Sequence, residues 1–326
     1  MTLARATDEE IDSTGTPIGE YPFLSLLERA QKEDGGWGFH VNSESRVEPA
    51  CWALLALLQI GAHKDLSERL SRGLQFLKSA QLPNGSWPAV PGQQDGCWVT
   101  SLACWVLLCA KHFEDPYPSV APAFRWLGDD WPKDTSAWRR ILQRFSRKDV
   151  VSHNPSYRGW GWTPRTASWV EPTSFALIAM SQAAQELLPP AAKRRQRLAK
   201  LLLCDRMCPG GGWNCGNPRT YGVAGEPLVS PTVWALIALR NEHDRPEVQE
   251  SLAWLEKNVA QFRSSVSLAL ARICLETYGR QVTITDQDLR RAFGKNEFPE
   301  NTSAISWASL ACRARPNWLV NRPENG

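Results

Sequence analysis

Residues 92–108, GQQDGCWVTSLACWVLL, place a carboxylate, a thiol and an indole at the head of an apolar run. Three chemistries fit Asp95 there. As a helix N-cap it would accept a backbone N–H bond. As an acid aimed into an apolar cavity it would keep its proton and deliver it to a substrate. As a metal ligand it would share an ion with other side chains. Of the five histidines, His40, His63, His112, His153 and His243, none opens an apolar run, and His153 is the one loop candidate. Cys204, Cys208 and Cys215 are spaced Cys-x3-Cys-x6-Cys, not as a zinc knuckle, and read as free thiols. The expectation is therefore no metal and no cofactor.

Other acids precede or open other apolar runs. Glu48 and Glu171 lie in two VEP tripeptides, and Glu226 comes just before a further run. If all these runs start at one end of a barrel, the acids ring one mouth. The helix macrodipole also favours acids at such positions, by about 0.3–1 kcal/mol each. Glu171 precedes the pair Thr173-Ser174 and is the second candidate acid.

The elements that must position these groups form a repeat. Residues 46–62 (RVEPACWALLALLQIGA), 169–184 (WVEPTSFALIAMSQAA) and 228–242 (LVSPTVWALIALRNE) share a turn, a proline, a small residue, an aromatic and an Ala-Leu/Ile pair. Proline is favoured in the first helical turn, where its missing N–H has no partner to lose. Residues 95–108 are a variant without the proline, and 264–278 and 300–314 are weaker copies. Apolar character all round means burial on every face. Between these runs lie amphipathic, charged helices, clearest at 65–81, 189–205 and 244–262. The alternation predicts an all-α, single α/α toroid of about six inner and six outer helices over residues 19–316. A flexible segment at 1–18 and a tail at 317–326 complete the chain. The long gap after the second inner helix holds APAFRWLGDDW and TSAWRRILQRFSRKDVV, the place for an extra rim helix; GDDWPKD reads as a turn.

Loops rich in Gly and Trp enter the inner helices: QKEDGGWGF, QLPNGSWPAV, YRGWGWTPR and CPGGGWNCGN. Their indoles can pack over a neighbouring helix end with the N–H bonded, or line a central cavity. Cys97, Trp98, Glu48, Trp160, Trp162, Trp213 and Trp234 are the expected cavity residues.

The whole chain bounds these readings. It has 326 residues, a net charge of +3 and 22% charged residues, which gives no reason to expect a nucleic-acid partner. Mean hydropathy is −0.36, and the opening residues have no signal-peptide apolar core. Nine scattered cysteines, an odd number, fit a reducing compartment. The expected location is cytoplasmic, with an apolar entrance available to a membrane surface. The basic run RRQRLAK (194–200) reads as a solvated face or a contact for anionic lipid. Oligomeric state is left open.

RGLQFLKSAQLPNGSW resembles the QW repeat of squalene and oxidosqualene cyclases, with Arg72, Gly73, Phe76, Gln81, Gly85 and Trp87 in place. Gln31, Gly35 and Trp37 repeat its second half. Trp160 and Trp213 survive in later copies without a matching Gln. The resemblance spans nearly the whole chain and implies the toroid shared by class II terpene cyclases and protein prenyltransferase β subunits, here as one domain. It also implies an acid that protonates an alkene or epoxide of a linear isoprenoid or prenylated substrate, above aromatic faces that stabilise the cation. In that family the donor Asp opens an inner helix, and Asp95 occupies the corresponding place. The flanking acids of the Asp-x-Asp-Asp pattern are replaced by Gln93 and Gly96. The Asp95-Gly96-Cys97-Trp98 run is similar to the zinc-binding pair of the prenyltransferases, without its His. Two further readings follow: a lipid- or peptide-binding toroid without chemistry, and a zinc-dependent prenyltransferase-like enzyme.

Overall fold

The computed structural model describes residues 23–60, 64–129, 153–295 and 300–312. Among the described residues, six apolar helices stand inside: α2 (Val47–Ile60), α4 (Val99–Cys109), α6 (Val170–Gln182), α8 (Val229–Ala238), α10 (Ser265–Thr277) and α12 (Thr302–Ala311). Among the same residues six α-helices lie outside: α1 (Leu24–Ala30), α3 (Lys64–Ser79), α5 (Tyr117–Asp129), α7 (Pro190–Asp205), α9 (Pro246–Asn258) and α11 (Asp286–Gly294). Each inner helix packs on the next, and α12 returns to α2, so the inner ring is closed. α3, α5, α7, α9 and α11 each cover the inner helix before them, and α1 covers α12. In α4 every residue from Val99 to Leu108 is buried. That is why the inner runs carry no polar stripe, whereas α3 and α11 do.

The ring closes through backbone as well as packing. The Thr302 N–H donates to Phe39 O at 3.0 Å, the Thr302 hydroxyl donates to Gly38 O at 2.6 Å, and Asn301 pairs with His40.

One device joins the outer helices to the inner ones four times. The Trp37 indole donates to Leu27 O at 2.8 Å, Trp87 to Leu77 O at 2.6 Å, Trp160 to Leu127 O at 3.0 Å and Trp213 to Leu203 O at 2.6 Å. Each acceptor is a carbonyl in the last turn of an outer helix, where the i+4 ladder runs out; Leu203 O also accepts from Arg206 N–H at 3.1 Å. The separation is 10 residues in three cases and 33 in the third junction, where the chain carries its long insertion. The backbone N–H of Trp87, Trp160 and Trp213 is accepted by Thr100, Thr173 and Thr232 on the inner helices at 2.8–2.9 Å. Gln31 and Gln81 each donate to the loop glycine carbonyl (Gly35, Gly85) and to the next outer helix (Arg69 O, Ser119 O), all at 2.8–2.9 Å. A Cβ at Gly85 would lie 2.6 Å from the Pro122 backbone, and its φ is +89°, so only glycine lets the loop come this close.

Several expectations change. Asp95 caps nothing: the residue before α4 is Trp98, with no side-chain cap. APAFRWLG belongs to an outer helix, α5, despite Pro122 within it; TSAWRRILQRFSRKDVV lies outside the described residues. The basic run is not wholly solvated. Arg195 is fully buried, 4.4 Å from the centre of the Trp160 ring, and donates to Leu127 O and twice to Gly159 O. It does for the third loop what Gln does for the first two. A short hairpin, β1 (Arg219–Thr220) with β2 (Val223–Ala224), gave no signal in the reading of the helical repeat. Among the described residues no helix is long and apolar enough to cross a membrane.

Candidate functional site

The heads of successive inner helices lie side by side. Val47 N–H donates to Ala89 O, Trp98 N–H to Trp162 O and Val170 N–H to Cys215 O, at 3.0–3.3 Å. Each bond ties one helix start to the loop entering the next inner helix. This end of the ring is therefore a mouth, and residues in the first turn of each inner helix border it.

Glu48 in the first turn of α2 and Glu171 in the first turn of α6 face that mouth on either side of α4. Burial holds both carboxyls above the ordinary carboxylate range. The Trp52 N–H, 3.4 Å from Glu48 Oε1, offsets part of that burial effect, and the charge of Glu171 adds a smaller push upward. The Ser230 hydroxyl, from α8, donates to Glu171 Oε1 at 2.6 Å and offsets part of the burial effect. Both carboxyls are thus shifted towards their protonated forms, chiefly by burial, relative to surface acids. Cys97 is buried beside them; burial raises its thiol, with the Glu48 charge adding to it.

Below the acids the ring is filled by aromatic side chains. Trp52 is the hub: its ring centre lies 4.7 Å from that of Trp307, 5.7 Å from Phe175 and Trp234, and 6.2 Å from Trp105. Phe175 meets Trp234 at 5.1 Å, and Trp234 meets Trp307 at 5.0 Å. Towards the mouth, Phe175 stacks on Trp98 at 5.5 Å, and Trp98 meets Trp162 edge-on at 5.0 Å. These spacings are those of mutually attractive ring pairs. The result is a continuous column of π faces from the rim to the barrel centre. At the far end, a shallow cavity of about 160 Å³ lies among Leu55, Leu58, Leu108, Cys109, His112 and Gln182.

The structure thus brings together Glu48, Glu171, Cys97, Trp98, Trp162 and Trp234. It leaves Asp95 exposed to water at the rim, outside the apolar surroundings a proton donor requires. Trp160 and Trp213 are buried in the outer junctions with their N–H groups bonded, and neither joins the central column among the described residues. Trp52, Phe175, Trp105, Trp307 and Ser230 were not singled out. The signal was present: Trp52, Phe175 and Trp234 fall at one place in the repeat, the aromatic before Ala-Leu/Ile. Among the described residues no three His, Cys, Asp or Glu side chains converge as a metal site.

A closed ring of paired inner and outer helices defines the molecule as an α/α toroid. No family model matches the chain. Over 189 residues it is 29% identical to a squalene–hopene cyclase of Bradyrhizobium diazoefficiens, a match covering 52% of this chain and 26% of that one. A shorter stretch of 74 residues is 37% identical to lanosterol synthase of Mus musculus, covering 20% of this chain and 10% of that one. Among solved structures, the type II terpene cyclase MstE of Scytonema matches 91% of this chain and 78% of its own with a TM-score of 0.51 at 14% identity. An α-1,6-mannanase of Salegentibacter matches 91% and 99% with a TM-score of 0.58 at 9% identity. The toroid is thus shared well beyond terpene chemistry, and function lies in the site grafted on it. By sequence the chain is similar to squalene–hopene cyclases, and by fold to the α/α toroid of a type II terpene cyclase. It spans about a quarter of the length of the Bradyrhizobium cyclase.

Proposed function

We propose that the chain is a monodomain class II terpene cyclase-like enzyme whose acid is the Glu48–Glu171 pair rather than Asp95. The observation that carries this reading is the placement of two burial-raised carboxyls in the first turns of α2 and α6, the helices that supply Trp52 and Phe175 to the aromatic column. Ser230 occupies Glu171 Oε1, leaving the rest of the pair to hold the proton. That proton adds to the CH carbon of the terminal isoprenoid C=C, or to an epoxide oxygen whose C–O bond then opens, and leaves a carboxylate behind. The tertiary cation so formed is attacked by an internal C=C bond, which closes a ring. Loss of a proton from an adjacent carbon, back to the carboxylate pair, restores neutrality. Trp52, Trp98 and Phe175 present π faces to the travelling charge, which such faces stabilise by about 0.5–2 kcal/mol each. The ligand class is a linear isoprenoid or a prenylated acceptor. The substrate named for the Scytonema enzyme, geranylgeranyl dihydroxybenzoate, is of that kind.

A second reading rests on the same column. The rings of Trp52, Trp105, Phe175, Trp234 and Trp307 fill the barrel centre, which favours a mouth that holds an isoprenoid chain without turning it over.

The test incubates the purified protein with geranylgeranyl dihydroxybenzoate, squalene and oxidosqualene, and analyses products of unchanged mass by chromatography and mass spectrometry. Glu48→Gln and Glu171→Gln should each lower turnover by about 10²–10⁴-fold, the range of general acid catalysis. Asp95→Asn should retain activity. Loss of turnover in Asp95→Asn with Glu48→Gln fully active would return the acid to Asp95. Saturable binding without product in the wild type would establish the binding toroid instead.

A further inference from the structure

The repeat breaks at its fifth junction. In the first four, an indole seals the space between one outer helix, the next outer helix and the inner helix they flank. Between α9 and α10 the chain has only residues 259–264, VAQFRS, with neither Gly nor Trp. Leu255 is buried near the end of α9, and the residue 10 positions on, where three of the other junctions place their Trp, is Ser265, already the first of α10. Phe262 does not replace the indole; it turns to Trp254 on α9, with ring centres 6.5 Å apart.

What stands at this junction is a cavity of about 350 Å³ between the short loop, α10 and α11. Its apolar lining comes from Val259, Phe262, Leu268 and Ile284. Its rim carries three cations, Arg263, Arg291 and Lys295, and one acid, Asp288. Asp288 is committed to the start of α11, accepting from Thr285 N–H at 3.0 Å and Thr285 Oγ1 at 2.7 Å, and Arg291 lies only within 3.9 Å of it. Arg263 is tied to Ala260 O and Phe262 O, which fixes its positive charge at the loop side of the opening. The rim is therefore net positive over an apolar floor, at a volume within the range of small-molecule pockets.

We infer that this junction is a binding site for a small aryl anion: a flat apolar body in the place of the missing indole, and a carboxylate or sulfonate head on Arg291 and Lys295. None of its lining residues belongs to the mouth, so the site is independent of the cyclase reading. The test is a fluorescence titration with 8-anilinonaphthalene-1-sulfonate, checked against its neutral analogue N-phenyl-1-naphthylamine. The wild type should bind one sulfonate saturably and the neutral analogue at least tenfold more weakly. Ala292→Trp, which restores an indole from the α11 side, should abolish binding and raise the thermal midpoint. The double variant Arg291→Glu/Lys295→Glu, at two exposed positions, should weaken binding at least tenfold with an unchanged circular dichroism spectrum. Glu48→Gln should leave binding as in the wild type. Absence of saturable binding, or affinities unchanged in both Ala292→Trp and the double charge variant, overturns the proposal. Self-association abolished by Ala292→Trp, without saturable sulfonate binding, would assign the cavity to a second copy of the chain and overturn it as well.

Discussion

Tryptophan does two different jobs in this molecule, and the contrast between the outer junctions and the barrel centre separates them. At the junctions, Trp37, Trp87, Trp160 and Trp213 are buried one by one, and each N–H satisfies a helix-end carbonyl. In the centre, Trp52, Trp105, Trp234 and Trp307 meet one another ring to ring, and the Trp52 N–H turns up to Glu48. The junction indoles act as hydrogen-bonded wedges that set the spacing of helices. The central indoles meet chiefly through their faces, with the Trp52 N–H reaching Glu48.

Removing a whole ring should cost most. Trp213→Ala or Trp234→Ala should each destabilise the fold by about 3–5 kcal/mol in a denaturant titration. Keeping an aromatic ring then separates the two classes. Trp87→Phe takes the indole donor from the Leu77 carbonyl and should cost about 1–3 kcal/mol beyond the lost volume. Trp234→Phe, with only ring contacts to replace, should cost less than about 1.5 kcal/mol. Equal losses at the two sites would collapse the distinction.

The acids sharpen the same comparison through pH. Glu48 and Glu171 have folded-state pKa values raised above 4.5, so the folded chain binds more protons than the unfolded one above that pH. Their stabilising contribution is complete below pH 4.5 and is lost as pH rises through their folded values. Unfolding followed from pH 4.5 to 8 should therefore show a fall in stability, and Glu48→Gln should flatten it. A wild-type profile no steeper than that of the variant would show that the mouth does not hold its proton. The smallest effect belongs to Asp95: exposed and uncapping, Asp95→Asn should shift stability by no more than about 0.5 kcal/mol.

The toroid was readable in the sequence because its period is written in side chains that cannot be exchanged cheaply. The Gly-x-Trp loops and the all-apolar inner runs gave the ring, and the Thr residues of the inner helices fixed the loop registers. The site was only half readable. Glu48 and Glu171 announced themselves by opening inner helices, as Asp95 did, but position along a helix does not reveal depth. Asp95 sits three residues before Trp98, in the loop ahead of α4, and so reaches water. The two Glu residues lie inside the first turn and face across the mouth. Likewise, nothing in a run of basic residues distinguishes Arg195 from exposed Arg194. The difference is made by which of them meets the Trp160 ring and the Gly159 carbonyl of a distant loop.

The bonds from Thr302 to Gly38 and Phe39 join residues 264 apart in one case. A ring that shuts this way cannot be finished piecemeal on the ribosome. Until α12 emerges, α2 and α1 have no partner on one side, and Trp52 lacks Trp307 at 4.7 Å. The nascent chain is an open arc with an aromatic edge exposed, the kind of surface that chaperones retain and that nascent copies can share by mistake. Contacts of such long range also slow the closing step relative to the local helix pairs. The emergence of α12 thus decides whether the arc closes on itself or stays open to a neighbouring copy.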